Sequence, residues 1–286
     1  MMTTYISRER RLYKIGDVSK ISGISCRTLR LYDDLGLVEP DLVDDNKYRY
    51  YSLKTILTIP VINYFKMMGF SLDEISAMLK CADFRETKRH FTTHLELCDN
   101  EERRIAEQRQ AIYEWEKLID EASNVLSVDQ AFVNVKFQPK IDLLCMPHHF
   151  MGEFAESIIS PDFGTFVERH NNTIMGPVIL KFHAFKDALN AACDGEECEI
   201  DLLQEAMRPI DDDCRISAGG RMFLSTYHCG KFEDMGKSFE RMAAYSKDNK
   251  YKLSNEVYER FVTDYWTTYD PNLFVVEILI PIDNTN

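Results

Sequence analysis

Arg27 and Arg30 lie three residues apart, and Lys47 and Arg49 follow among Tyr48, Tyr50 and Tyr51. Guanidinium groups can fork onto guanine edges or pair with phosphates. Basic residues interleaved with tyrosines on a ribbon can pack one face while the other meets an anionic backbone. The elements needed to hold these groups are legible nearby. Ile15, Val18 and Ile21 give a short helix one apolar face, and Gly23 supplies a tight turn. Ser25 can cap a second helix by accepting a bond from an orphan amide, and Gly36 offers a left-handed stop after Leu35. On that second helix Leu29 and Leu35 face inward, leaving Arg27, Thr28, Arg30 and Tyr32 outward. Asp44-Asp45-Asn46 then turns a hairpin whose alternation sends Arg49 and Tyr51 to one face and Tyr48 and Tyr50 to the other. Helix, turn, helix and wing together predict a reader of the major groove over Tyr13 to Tyr51.

The following segments support that unit. Ser52 starts a helix to about Met68, with a kink expected at Pro60 and a stop at Gly69. Ser71 and Glu74 form a capping-box pattern for a helix to about Cys81. Phe84, Phe91, Cys98, Ile105, Ile112, Ile119 and Leu126 are each seven apart, the pattern of a long helix seeking a partner helix. Their companions Thr87, His94, Glu101, Gln108, Trp115 and Ala122 are partly polar, so the seam is weak alone. A helix of roughly 60 Å is hard to cover with one small domain at 1.5 Å per residue, and a homodimer is expected. Cys98 is read as a buried heptad residue.

Tyr13-Lys14-Ile15-Gly16-Asp17-Val18, Thr28-Leu29-Arg30-Leu31-Tyr32, Gly36-Leu37 and Tyr48-Arg49-Tyr50-Tyr51 resemble the MerR family of bacterial transcription regulators, through about Leu79. Leu31 stands where that family usually has an aromatic residue. The resemblance places Arg30, Tyr32 and Arg49 on DNA-contacting positions and Lys66 on a second phosphate contact. With the residues read above, the expected DNA-binding set is Ser25, Arg27, Thr28, Arg30, Tyr32, Lys47, Tyr48, Arg49, Tyr51 and Lys66. It also implies an antiparallel dimer coil, double-stranded promoter DNA as partner, and an indirect effect on RNA polymerase through realigned promoter elements.

Length and charge agree with several domains. The 286 residues can hold two cores and a connecting helix, and the net charge of -13 is uneven. Residues 1 to 80 carry twelve basic and ten acidic groups, for +2, which leaves -15 on the remainder. The acidic part is therefore not expected to touch DNA, and it suits a cationic ligand. No apolar run approaches the roughly 18 residues of a membrane span, and no signal-peptide core is evident, so a cytoplasmic protein is expected. The eight cysteines lack CxxC pairs, His148-His149 and His170 lack helical ligand spacing, and Val125 to Val135 contains no cysteine. No metal, cofactor or catalytic residue is expected.

From Phe132 the pattern changes to short strands and helices. Phe132 to Phe137, Ile141 to Cys145, Met222 to His228 and Leu273 to Pro281 read as strands, and Phe232 to about Asn249 as a helix. The order strand, helix, strand, strand seen twice suggests an α+β domain with two related halves. Gly219-Gly220-Arg221 through Tyr227-His228-Cys229-Gly230, Val257-Tyr258-Glu259, and Glu277 to Ile282 resemble the GyrI-like effector-binding domain. That resemblance implies a ligand cavity containing Glu259. Alternation puts Val257, Glu259 and Phe261 on one strand face, so the carboxylate would stand among apolar neighbours and favour a lipophilic cation. Phe150, Phe182, Tyr265, Trp266 and Phe274, with Phe261, are the aromatic residues expected around it.

The fold class expected is thus a mainly α winged helix-turn-helix domain, a long coiled-coil helix, and an α+β GyrI-like domain with two related halves. The expected spans are a tail at 1–12, DNA binding at 13–82, the dimerisation helix at 83–127 and the effector domain at 130–286. The functional expectation is a regulator that binds an inverted repeat as a dimer and distorts the DNA when a small cationic aromatic effector binds. The alternatives are hydrolysis of a reactive small molecule by the GyrI-like domain, or binding of a protein partner such as gyrase by that domain.

Overall fold

The computed structural model describes residues 4–7, 10–81, 83–128 and 132–283, so the expected boundaries at 82, 130 and 286 lie outside the described residues. The chain divides into two compact units, Met1–Ala106 and Glu107–Asn286. No helix among the described residues is long and apolar enough to cross a membrane.

The first unit contains β1 (Thr4–Ser7), β2 (Arg10–Lys14), α1 (Ile15–Ser22), α2 (Cys26–Asp34), β3 (Leu42–Val43), β4 (Arg49–Ser52), α3 (Leu53–Ile56), α4 (Thr58–Met67) and α5 (Leu72–Lys80). Residues expected as a tail up to 12 instead supply β1 and most of β2, and the sheet order is β1-β2-β4-β3. Gly23 closes α1 at φ 74°, and Gly36 turns the chain after α2 at φ 64°, conformations that glycine adopts without a Cβ clash. The expected continuous helix from Ser52 is broken at Leu57, between α3 and α4. Pro60 explains the position, because it has no N–H for the carbonyl four residues back, that of Ile56, and its ring crowds that carbonyl. Ser71 and Glu74 form the full capping box on α5. Val18, Leu29, Tyr32, Tyr51, Ile59, Ile62 and Ile75 make the core of this unit. Ile21, read as part of the apolar face of α1, is instead exposed.

Helix α6 (Phe84–Leu126) runs 43 residues. Of its heptad residues, Phe91 packs against Phe65 and Phe70, while Phe84, Cys98, Ile105, Ile112 and Ile119 are exposed. Cys98 is therefore not buried within its own chain.

The second unit continues from α6 through β5 (Val133–Gln138), β6 (Ile141–Phe150), α7 (Phe154–Ile158), α8 (Pro161–Arg169), β7 (Ile179–Phe182), α9 (Phe185–Asp194), β8 (Cys198–Glu205), β9 (Arg215–Ala218), β10 (Arg221–Cys229), α10 (Gly236–Asp248), β11 (Val257–Thr263) and β12 (Val275–Pro281). Its antiparallel sheet has the order β5-β10-β12-β11-β7-β8-β6-β9. The alternation of β11 decides which groups face the helices. Val257 and Phe261 join the large core with Phe150, Phe154, Phe163, Phe182, Phe239 and Ile278, whereas Tyr258 packs on the other face with Phe223 and Leu279.

Candidate functional site

In the first unit, Ser25 accepts the Thr28 amide at 3.0 Å and caps α2, which fixes the start of the helix that carries the arginines. Arg27 and Arg30 are exposed, Thr28 is half-buried, and Leu31 lies on the outside beside Arg30. Tyr32, expected on the outer face, is 1% exposed. The helix turns about 100° per residue, so Tyr32 follows Leu29 inward at the i+3 position. Tyr51 is likewise fully buried rather than presented by the wing. Tyr50 is buried with it, so exposure along β4 does not alternate. The cause is that β4 is flanked by both β2 and β3 and leads straight into α3, which places Tyr51 in the helical core.

The groups available at the surface are Ser25, Arg27, Arg30, Lys47, Tyr48 and Lys66. Arg49 is partly committed: its Nε donates to Asp33 at 2.6 Å, tying the wing to the last turn of α2. Asp44 accepts the Tyr48 amide at 2.8 Å, and Lys47 at φ 61° forms the tip. Lys14, which the sequence reading passed over, sits 5.5 Å from the Tyr48 ring centroid. The pairing of β2 with β4, which sets Lys14 opposite Tyr50, brings it there.

In the second unit Glu259 is fully buried, and neither carboxylate oxygen has a hydrogen-bond partner among the described residues. Its strand neighbours are Leu180 on β7 and Ile278 on β12, both fully buried. Burial pushes its carboxyl well above the usual carboxylate range, so the neutral acid is favoured. Phe150, Phe182, Phe261 and Phe274 lie in the same core. Tyr265 reaches it from the surface, 4.8 Å from Phe274. Trp266 does not join them. It is half exposed, its Nε1 donates to the Ile158 carbonyl at 3.4 Å, and it lines a cavity of about 160 Å³ with Trp115, Leu118 and Asp264, in which Phe261 is the one ring shared with the set around Glu259.

Two phenylalanines outside the expected set belong to this cluster. Phe154 and Phe232 meet at 5.6 Å and contact Phe261 at 6.0 and 5.3 Å. Both line a cleft of about 260 Å³ whose mouth carries Glu153, Asp194 and Glu233, all exposed. The sequence did carry a signal for them: Gly152-Glu153-Phe154 follows β6, and Gly230-Lys231-Phe232 follows β10.

The opposite face of β11 holds a different arrangement. Arg260 pairs with Glu277 and with Glu121 of α6, Lys136 also pairs with Glu277, and the Tyr227 hydroxyl donates to Glu121 at 2.7 Å. Burial alone would raise the Glu277 carboxyl, but the Arg260 and Lys136 charges more than offset it and hold it below the usual range. Burial pushes the Tyr227 phenol up as well.

The family model described as MerR HTH family regulatory protein matches residues 13–81. The chain carries a MerR-family helix-turn-helix domain. The chain is 36% identical over 100 residues to the HTH-type transcriptional activator mta of Bacillus subtilis (strain 168), covering 35% of this chain and 38% of that protein. It is 37% identical over 71 residues to the multidrug-efflux transporter 2 regulator of the same organism, covering 25% of this chain and 26% of the relative. The chain thus spans less than two fifths of the length of these curated relatives. A solved structure of EcmrR in a DNA complex aligns with 95% of this chain and 100% of its own at 17% identity and a TM-score of 0.45, a level that bears on neither site.

Proposed function

We propose that this chain is a ligand-responsive transcription regulator, in which a dimer holds promoter DNA through paired MerR-type domains and the second unit senses a small lipophilic cation. The MerR HTH match at residues 13–81, and the names of the curated relatives, a transcriptional activator and regulators of multidrug-efflux transporters, support the DNA-binding half. Arg27, Arg30, Lys47 and Lys66, all exposed, are the cations proposed to meet phosphates and base edges, with Ser25, Thr28 and Tyr48 beside them. Arg49 is proposed to position the wing through Asp33 while its remaining guanidinium nitrogens face DNA. Tyr32 and Tyr51 act by holding the domain together.

The observation that carries the sensing half is Glu259, a fully buried carboxyl without a hydrogen-bond partner among the described residues, set among phenylalanines. An unmatched acid in an apolar core is costly, and a cation that enters as the carboxyl ionises recovers that cost through a desolvated ion pair and ring faces. The acidic cleft lined by Phe154, Phe232 and Tyr265 is the proposed entry, with Phe261 the ring between that cleft and Glu259. The domain is read as GyrI-like with two related halves. In support, β6, β8 and β7 stand in the sheet as the mirror-order counterpart of β10, β12 and β11, and a Gly-x-Phe follows the first strand of each set.

The exposed heptad residues of α6, Ile105, Ile112 and Ile119, are proposed to pair with a second copy. Effector binding then shifts the dimer between two geometries, and the energy must come from differential affinity for them. Hydrolysis is the weaker reading. Burial favours the neutral form of Glu259, which is the wrong form for a general base, and no described side chain is hydrogen-bonded to it to take its proton.

The test is fluorescence anisotropy of the full chain with the duplex upstream of its own gene, beside a scrambled duplex, across a salt series. Preference for the native duplex with a steep salt slope is expected, together with a change in affinity or DNA bend on adding an aromatic cation. Equal, weak binding to both duplexes, unchanged by the cation, overturns the proposal.

A further inference from the structure

Three residues that the sensing reading does not use come together on another part of the second unit. His170 is the C-terminal cap of α8, and Asp213 and Cys214 lie in the single helical turn Asp212–Cys214 just before β9. The sheet brings them together although 42 residues separate His170 from Asp213. β9 pairs with the edge of β6, Arg215 opposite Leu144, and α8 packs on β6, so the turn falls beside the end of α8. One ligand atom from each residue, an imidazole nitrogen, a carboxylate oxygen and a thiol sulfur, lies within 4.8 Å of the others.

We propose that His170, Asp213 and Cys214 bind a zinc-class divalent cation. The donor set of one nitrogen, one sulfur and one oxygen suits a borderline-soft ion, and not magnesium or calcium, which take oxygen ligands. Donors in a tetrahedral set with bonds of about 2.0–2.3 Å stand about 3.3–3.8 Å apart. Closing from 4.8 Å therefore needs only a modest side-chain movement, which the exposed Asp213 can make.

A second feature prepares the imidazole. His170 Nδ1 is 2.8 Å from the Phe166 carbonyl, an acceptor, so Nδ1 carries the proton and Nε2 presents its lone pair. The ring is further held against Phe166 at 4.4 Å between centroids. Cys214 is buried, which keeps the sulfur from competing thiols, while Asp213 is exposed and leaves a fourth position open to water. Bound there, the ion ties the turn to α8 and steadies the preceding stretch, where the Arg208 amide donates to Asn172 at 3.0 Å and the Arg208 side chain pairs with Glu107 of α6.

The experiment is titration of the reduced full-length protein with cobalt(II) alone, followed by zinc(II). The expected result is a sulfur-to-cobalt charge-transfer band with visible bands of tetrahedral strength, saturating at one ion per chain and displaced by zinc. Cys214→Ser removes the charge-transfer band. His170→Gln and Asp213→Asn each weaken the ion by about tenfold or more. At the same zinc concentration the thermal midpoint should rise more for the wild type than for any of these variants. If Cys214→Ser does not fold, Asp213→Asn decides alone, because its side chain is exposed. Absence of the band, or a band and affinity unchanged by Cys214→Ser or by Asp213→Asn, overturns the proposal.

Discussion

Replacing Glu259 with Gln tests the central physical claim, because it removes a titratable group while keeping its shape. The carboxyl has an ordinary value of 4.5 and is raised well above it in the folded state by burial. Between those two values the folded chain holds one more proton than the unfolded chain. Stability contributed by the neutral acid is therefore fully present below about 4.5 and is lost as pH rises towards the folded value. The slope is about 1.4 kcal/mol per pH unit, and it flattens above the folded value. Gln does not titrate, so Glu259→Gln should gain on the wild type by up to about 1.4 kcal/mol for each pH unit between 5 and the folded value. The two tryptophans, Trp115 and Trp266, both lie in the second unit, so their fluorescence in urea reports that unit. His228 and Asp264 titrate alike in both proteins and drop out of the difference. A gap that widens with pH is expected. Parallel wild-type and variant stabilities from pH 5 to 8 would refute the reasoning, since they would mean that Glu259 ionises as a solvated or paired carboxylate. A lipophilic aromatic cation should raise the wild type's stability and leave Glu259→Gln nearly unmoved.

Arg27→Gln and Arg30→Gln should each weaken duplex binding in anisotropy by about 1–3 kcal/mol while the thermal midpoint of the first unit stays nearly constant. Tyr51→Ala should behave oppositely, costing about 3–5 kcal/mol of stability through loss of a fully buried ring, read by circular dichroism melts. A Tyr51→Ala protein that melts normally yet fails to bind DNA would restore the tyrosine to the interface. Ile112→Asp should shift the chain to monomer in sedimentation velocity, since that residue is 69% exposed along α6; an unchanged dimer would move the interface elsewhere. Glu277→Gln leaves Arg260 and Lys136 without their shared anion and should cost about 3–5 kcal/mol in tryptophan-monitored urea melts, whereas a loss under 1 kcal/mol would mean that Glu121 alone suffices.

Local chemistry was readable wherever a few adjacent residues decide the outcome. Gly23 and Gly36 mark turns because a left-handed backbone suits glycine, Ser25 caps because its oxygen reaches an amide three residues on, and Ser71 with Glu74 closes a capping box by the same reach. Pro60 was read as a kink, but the break falls at Leu57, since a proline acts on the carbonyl four residues before it. The heptads of α6 were legible as a helix, while their exposure depends on a surface outside the chain's own sequence pattern.

Alternation and helical spacing by themselves say that residues share a face; they do not say what covers it. Tyr32 and Tyr51 look the same in sequence as the surface groups beside them, and their burial follows from where the core closes on α2 and β4. Arg49 became an ion-paired residue because Asp33, sixteen positions earlier, ends α2 beside the wing. For Glu259 the sequence determined the strand and the apolar neighbours at 257 and 261, but the lack of a hydrogen-bond partner among the described residues follows from its apolar neighbours on β7 and β12, and the approach of Phe154 and Phe232 comes from α7 and the turn after β10. Trp266 sits close to Tyr265 in the chain and yet turns to a different cavity, because a loop past the strand end no longer alternates. His170, Asp213 and Cys214 carry no ligand spacing at all, and only the pairing of β9 with β6 brings them within reach. Caps, turns and periods are short-range effects that a sequence states directly, whereas burial, partnering and cavities arise when distant segments exclude water together, and that only the tertiary structure decides.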